Sequence, residues 1–239
     1  MTLSIVSDIV KFEKIAILVL ARSSSKRVLN KNYRKFHGDK SLVDIKMNVL
    51  LDVFPEENVF ISSDIRIDNT NVVDRTIESI IDSSLSFTDV ITPLYTELYD
   101  RGFKHILITY PTSPLFNKEM YSQSIYSYYE HVICGNKTSA VSGYYDAGYY
   151  WLDDKEVNYE ATASGHSYTQ NNKRLFSIDN AVYIKELTDE PKHYMFNRES
   201  VHFIEIPKLF GLDIDSKEDF VIAQQLYSAY EKQKFNGVY

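Results

Sequence analysis

Apolar residues run unbroken from Ile15 to Ala21 (IAILVLA), and a second, largely aliphatic run occupies His105 to Tyr110 (HILITY). Runs this short cannot span a membrane and suit strands buried on both faces, the mark of a parallel sheet. Asn58 to Ser62 (NVFIS) reads as another strand. Between them Leu42, Ile45, Leu50 and Val53 recur at helical spacing. Ser86 to Arg101 forms a second amphipathic segment, with Ser86 as cap, Asp89 in the first turn and Gly102 at the stop. A third helix is predicted from near Asn117, carrying Met120, Ile125 and Tyr128, and a last one over Phe220 to Tyr230. This alternation predicts an α/β fold whose mostly parallel strands are joined by crossover helices. Met1 to Lys14 precedes the first strand, and its SIVSDIVKF pattern suits a short amphipathic helix that packs on the domain or on a partner.

Composition narrows the class. A chain of 239 residues, 44% hydrophobic, can bury one sizeable core, and no linker, repeat or low-complexity tract divides it. One domain over residues 15–239 with an N-terminal extension at 1–14 is expected. The single Cys134 excludes an intramolecular disulfide framework and fits a reducing compartment. No segment approaches the roughly 18 apolar residues of a spanning helix, and the N-terminus lacks the order of a secretory signal, so no membrane association and a cytoplasmic location are expected. A net charge of -7 argues against nucleic acid as a partner.

Against that acidic background one segment is basic. Arg22, Lys26, Arg27, Lys31, Arg34 and Lys35 follow the first strand with no acid among them. Ser23, Ser24 and Ser25 add hydroxyl and backbone donors, so the loop offers what phosphate oxygens need. Ligands of open α/β sheets bind at the carboxyl ends of strands, where this loop would lie. A solvated basic surface loop is the alternative reading. The Pro111-Thr112-Ser113-Pro114-Leu115 segment likewise turns the chain sharply away at a strand end. Near the C-terminus, Asp213 and Asp215 stand two apart, so in an extended segment both carboxylates share a face and could clamp one magnesium ion. Asp215-Ser216-Lys217-Glu218 also reads as a capping box for the last helix. The six histidines show no metal-ligand spacing, and no GxSxG elbow, Walker loop or GxGxxG fingerprint is present.

Taken in order, ARSSSKRVLNKN (Ala21 to Asn32), PTSPL and LDIDSKEDF resemble the cytidylyltransferase family that makes CMP-activated acidic sugars, the CMP-N-acylneuraminate synthetase type. The resemblance runs from about Ile15 to Leu226. Ala21, Arg22, Ser25, Lys26, Lys31 and Asn32 match that family's ARxGSKR-(I/L)-P-x-KN loop. Arg75, with Asp82 seven residues on, is similar to its Arg-Pro…Asp segment, and Asn180 in IDNAVYI to the Asn of its ENGAIYI strand. The resemblance implies a Rossmann-like nucleotidyltransferase fold and a homodimer formed through an excursion, here residues 139–179. It also implies transfer of a cytidylyl group from CTP, with Mg2+, to a hydroxyl of a nonulosonic or related acidic sugar, releasing pyrophosphate and forming a CMP-sugar.

Carried over by position, Arg22, Lys26 and Lys31 would hold the triphosphate as catalytic cations, with Ser25 beside them. Asn32 and Arg75 would lie near the cytidine, Tyr110 and Asn180 near the substrate, and Asp213 and Asp215 would hold the metal. The chain departs from the pattern at Ser24 for Gly, Leu29 for Pro, Tyr110 and Phe116 beside PTSPL, and Ala181 for Gly. Thr169, Gln170 and Asn171 stand where an Arg commonly meets the sugar carboxylate, which leaves Lys173 or Arg174 to replace it or implies an altered acceptor. Tyr144, Tyr145, Tyr149, Tyr150, Trp151, Tyr159 and Tyr168 fill the excursion, as an interface or a sugar-stacking surface would require. Two other readings stay open: a non-catalytic relative that binds a nucleotide or a partner, and a glycosyltransferase using Asp213-Ile214-Asp215 as a DxD motif.

Overall fold

The protein is described here from a computed structural model covering residues 3–65, 71–72, 87–160, 165, 168–188, 195–196 and 199–233. The first strand, β1 (Ile15–Ala21), is an interior strand of a seven-stranded sheet. On one side of it lie β4 (Val59–Ser63) and then β5 (Asn71–Val72); on the other lie β6 (His105–Thr109), β10 (Leu175–Glu186), β7 (Ser139–Asp146) and β11 (Val201–Glu205). β1 pairs in parallel with β4 and β6, in register at Ile17↔Val59 and Ile17↔Leu107. Only β10 runs against the rest, antiparallel to both β6 and β7.

Side-chain alternation along β1 explains why helices cover both faces. Ile15, Ile17, Val19 and Ala21 enter one apolar cluster with Val43, Met47 and Leu50 of α2 (Leu42–Leu51) and Tyr121, Ile125 and Tyr128 of α4 (Lys118–Tyr128). Ala16 and Leu18 enter the opposite cluster with Ile91, Leu94, Tyr95 and Leu98 of α3 (Phe87–Asp100). A strand buried on both faces has no polar side to spare, which is the uninterrupted run seen in the sequence. The N-terminal segment forms α1 (Leu3–Phe12), and its fully buried Val6 and Val10 join the first cluster, so it packs on the domain itself. Asn117 caps α4, its side chain accepting the Met120 N–H at 3.0 Å.

A third, smaller cluster positions the site. Val28 from the basic loop, Phe36 of β2 (Lys35–His37), Leu42 and Ile45 of α2, Ile214, and Phe220 and Ala223 of α5 (Lys217–Gln233) bury one another. β2 pairs with β3 (Lys40–Ser41) just before α2. Within the span 139–179, residues 139–146 and 175–179 are strands of the main sheet, and the chain leaves the sheet between them. There β8 (Trp151–Leu152) and β9 (Lys155–Glu156) form a small hairpin. Buried Asn158 staples its base, donating to Gly148 O at 2.7 Å and to Lys173 O at 3.0 Å. Tyr168 and Trp151 stay 76% and 53% exposed on this excursion.

Candidate active site

The basic loop leaves the carboxyl end of β1 and is tied down at several points. Asp64, just beyond β4, accepts the Ser23 N–H at 2.7 Å and the Ser23 hydroxyl at 2.6 Å. Asn32 donates to Arg22 O at 2.9 Å, and the Tyr33 hydroxyl donates to Ala21 O at 3.0 Å. Val28 plugs the loop into the third cluster beneath. Between these anchors the backbone N–H groups of Ser24, Ser25 and Lys26 have no partner among the described residues. The side chains of Arg22 and Lys26 are exposed and equally unpaired there. Ser24 is absent from the non-glycine residues with positive φ, so the loop carries a serine at this position without left-handed strain. Asn32 is buried and stitches the loop together, its Oδ1 lacking a partner among the described residues. Arg75 and Asp82 lie outside the described residues.

Asp213 and Asp215 face this loop, with Ile214 between them fully buried as an anchor. Lys31 reaches across, donating to Ile214 O with its Nζ 3.9 Å from Asp215. Burial lowers the Lys31 pKa, opposed by the charges of Asp213 and Asp215. Arg27 pairs with Asp215 at 2.9 Å. The expected capping box shifts by one residue: Ser216 N donates to Asp219 at 2.7 Å, and Asp219 N donates to the Ser216 hydroxyl at 3.1 Å. Asp215 therefore does not cap α5 through its side chain. Serine is as good a cap as aspartate, and choosing it leaves Asp215 for the cations of the loop.

On the other side, β10 bulges between Ile178 and Tyr183 and carries Asn180 at φ +58, a left-handed conformation that asparagine tolerates. Asn180 donates to Asp213 Oδ2 at 3.1 Å and accepts from the Tyr183 hydroxyl. Asp213 Oδ1 is buried without a partner among the described residues. Tyr110, at the end of β6, is held well above the ordinary phenol range by burial, with Tyr183 and Asp213 adding to the effect. Phe116 is core, packing edge-on against Tyr121 with ring centroids 4.7 Å apart. Arg174 lies over the Tyr145 ring at 4.4 Å and 3.7 Å from Glu205, and Lys208 pairs with Asp146 at 2.7 Å.

Sequence reasoning missed the groups beneath. Lys46 of α2 is 1% exposed, yet it donates to Ser113 O at 3.0 Å and to the Tyr121 hydroxyl at 2.6 Å. Burial pulls its pKa down to about 7, against the pull of Asp179 and Asp213. Asp179 accepts from the Ser142 hydroxyl and from Ala181 N at 2.9 Å, and burial lifts its pKa to about 6. A Cβ on Gly211 would meet the Asp179 side chain at 2.9 Å, so glycine permits that close approach. One signal was present: Val43, Lys46, Met47 and Leu50 share one helical face, and a charge on an apolar face is out of place.

A doubly wound sheet with a cationic loop at the carboxyl end of β1, faced by two acids, defines an α/β protein whose charged groups gather at its strand ends. The family model described as Cytidylyltransferase matches residues 16–234, and the chain belongs to that family. Among solved structures it is similar to CMP:2-keto-3-deoxy-manno-octonic acid synthetase complexed with CTP, with 11% identity, a TM-score of 0.59 and coverage of 90% of this chain and 99% of that one. A cytidylyltransferase from Leptospira borgpetersenii serovar Hardjo-bovis gives 15% identity, a TM-score of 0.55 and coverage of 92% and 95%. For the bifunctional IspDF from Campylobacter jejuni the values are 12%, 0.58, and 86% of this chain against 53% of that one. The chain thus spans about half the length of the bifunctional protein. At these identities the likenesses concern the fold. A search of curated protein sequences finds no match.

Proposed function

We propose that the protein transfers a cytidylyl group from CTP to a sugar hydroxyl. The acceptor oxygen forms a bond to the α-phosphorus, the bond from that phosphorus to the bridging oxygen breaks, pyrophosphate leaves, and the hydroxyl proton is released. The observation that carries this reading is the exposed side chains of Arg22 and Lys26 with the N–H groups of Ser24, Ser25 and Lys26, all without a partner among the described residues and opposed by Lys31, Asp213 and Asp215. Phosphoryl chemistry of this kind needs positioned charge more than covalent catalysis. In the reading, Arg22, Lys26 and Lys31 bind the phosphate chain and neutralise the departing pyrophosphate, and the N–H groups of Ser24 and Ser25 orient it. Tyr110 and Asn180 bound the acceptor side.

Magnesium fits the donors present. Asp213 Oδ1 is a buried carboxylate oxygen without a partner among the described residues, and Asp215, two residues on, would exchange its exposed Arg27 pair to share an ion. No group of three His, Cys, Asp or Glu among the described residues could hold a metal, so phosphate oxygens would have to complete the shell. When bound, the ion supplies charge neutralisation on the phosphates.

The acceptor in this proposal is a nonulosonic or related acidic sugar, with Arg174 receiving its carboxylate. The exposed Arg174–Glu205 contact at 3.7 Å is loose enough to exchange for a bidentate ligand. The excursion within residues 139–179 is proposed as a homodimer arm, on the strength of the exposed Trp151 and Tyr168, and a monomer in light scattering would remove that part. The activity is tested by incubating the protein with each NTP, magnesium and a panel of sugars and sugar acids while measuring pyrophosphate. CTP-specific, acceptor-dependent release is expected; release with no acceptor, or none with CTP, would refute the reading.

A further inference from the structure

Lys46 is the most deeply buried cation among the described residues, and it donates to Ser113 O and to the Tyr121 hydroxyl. Burying an ammonium carries a desolvation penalty that a methionine of similar shape would avoid, so its presence calls for a task. The bonds it makes identify one. Its acceptor Ser113 O lies in the Pro111–Pro114 turn, where two prolines have already removed backbone donors. In the same turn, Thr112 O accepts the Ile214 N–H at 2.9 Å, and Ile214 O accepts from Lys31. A continuous chain therefore runs from Lys46, through the turn, to the backbone between the two acids and on to the loop lysine.

A second branch converges on the same place. The Tyr121 hydroxyl, bonded to Lys46, lies 2.7 Å from Thr109 Oγ1 at the end of β6. Asp179 holds the bulge that sets Asn180, and Asn180 holds Asp213. Ser113 Oγ, Asp179 Oδ2 and Asp213 Oδ1 are all buried without a partner among the described residues, so this layer is polar, sparsely satisfied and dependent on the one cation whose charge both Asp179 and Asp213 feel.

We infer that Lys46 is a positioning residue for cytidylyl transfer: its buried ammonium sets the Pro-Thr-Ser-Pro turn and, through Ile214, the placement of Asp213 and Lys31, without touching the substrate. This rests on the cytidylyltransferase reading above. A misplacement of about 1 Å at a reacting centre can cost on the order of 100-fold in rate, so the effect should fall on kcat.

The test compares the full-length protein with Lys46→Met and Lys46→Arg. For Lys46→Met, kcat for pyrophosphate release is expected to fall by about 100-fold while KM for CTP stays within about 3-fold, the signature of an interaction realised in the transition state. Lys46→Arg, which keeps the charge, should recover about 10-fold of that loss. Amide exchange across residues 112–115 and 212–215 should speed up by about 10-fold in Lys46→Met, because the Thr112–Ile214 bond loses its support. A kcat within about 3-fold of wild type, or equal activity of the Met and Arg variants, overturns the proposal. Unchanged exchange at Ile214 overturns it whether or not the protein is active. Should Lys46→Met fail to fold, Tyr121→Phe cuts the same network one bond away; a drop in kcat of about 10-fold is then expected, and no drop is the overturning result. Absence of CTP-dependent pyrophosphate release by the wild-type protein would instead refute the cytidylyltransferase reading, leaving exchange at Ile214 to decide on Lys46.

Discussion

The two ends of the proposed substrate site are built on opposite plans. On the β1 side the cations Arg22 and Lys26 are exposed and without partners among the described residues, and the loop that bears them is pinned from below by Val28, Asn32 and Asp64. On the β7–β10 side two cations are already engaged: Arg174 with Glu205 and Tyr145, Lys208 with Asp146 and Tyr144. The first plan leaves positive charge for a polyanion and holds its backbone donors ready. The second keeps each cation on a carboxylate and a ring, from which a ligand must displace it. A triphosphate can bring enough charge to bind without prior order, whereas a single sugar carboxylate gains orientation from a prearranged fork.

Substitutions can break this contrast, beginning where the effect is largest. Asp213→Asn and Lys31→Met should each lower kcat by at least about 100-fold, since each removes charge at the place where pyrophosphate departs. Steady-state pyrophosphate release measures this, and full activity in either variant would place the chemistry elsewhere. Arg174→Ala should raise the acceptor KM by about 10-fold and leave the CTP KM unchanged, which is the size of one lost charge-assisted hydrogen bond. An equal change in both constants would mean that the two halves are not separable.

A third expectation concerns stability and the layer shared by the two halves. Burial holds Lys46 at about 7 against an ordinary 10.5, so between those values the folded protein binds fewer protons than the unfolded chain. Lys46 therefore makes stability rise with pH across that window, and the gain is lost as pH falls through about 7. Asp179, lifted from 3.8 to about 6, acts the other way: its contribution is full below 3.8 and lost as pH rises through about 6. Urea unfolding at a series of pH values should show the alkaline rise, and Lys46→Met should flatten it. The smallest effect is expected at Ser24→Gly, with activity changing by less than about 2-fold, because the serine already sits in an ordinary conformation. A large gain would show that its side chain obstructs the loop.

Legibility in the sequence followed the range of the interactions. β1 and α4 matched their patterns because strand burial and the Asn117 cap are local. The basic loop was legible for the same reason: its charges are consecutive. The cap of α5 was misread by one residue because Asp215-x-x-Glu218 and Ser216-x-x-Asp219 are equally good local solutions. The choice came from Arg27 and Lys31, which are distant in the chain and hold Asp215. Phe116 looked like a departure in a binding turn and proved to be core, where its ring fills space against Tyr121.

Adjacency and periodicity in the chain decide the mostly parallel sheet, the helices on both of its faces, the basic loop after the first strand and the pair of aspartates. Tertiary structure decided which of these meet. It brought Lys31 to Ile214 across 183 positions, set Asn180 against Asp213 through a bulge, and gave the lysine on the apolar face of α2 its buried hydrogen-bond partners. Long-range hydrogen bonds and desolvation depend on the distances and burial that only the folded chain creates, and those are the quantities that make a buried charge informative.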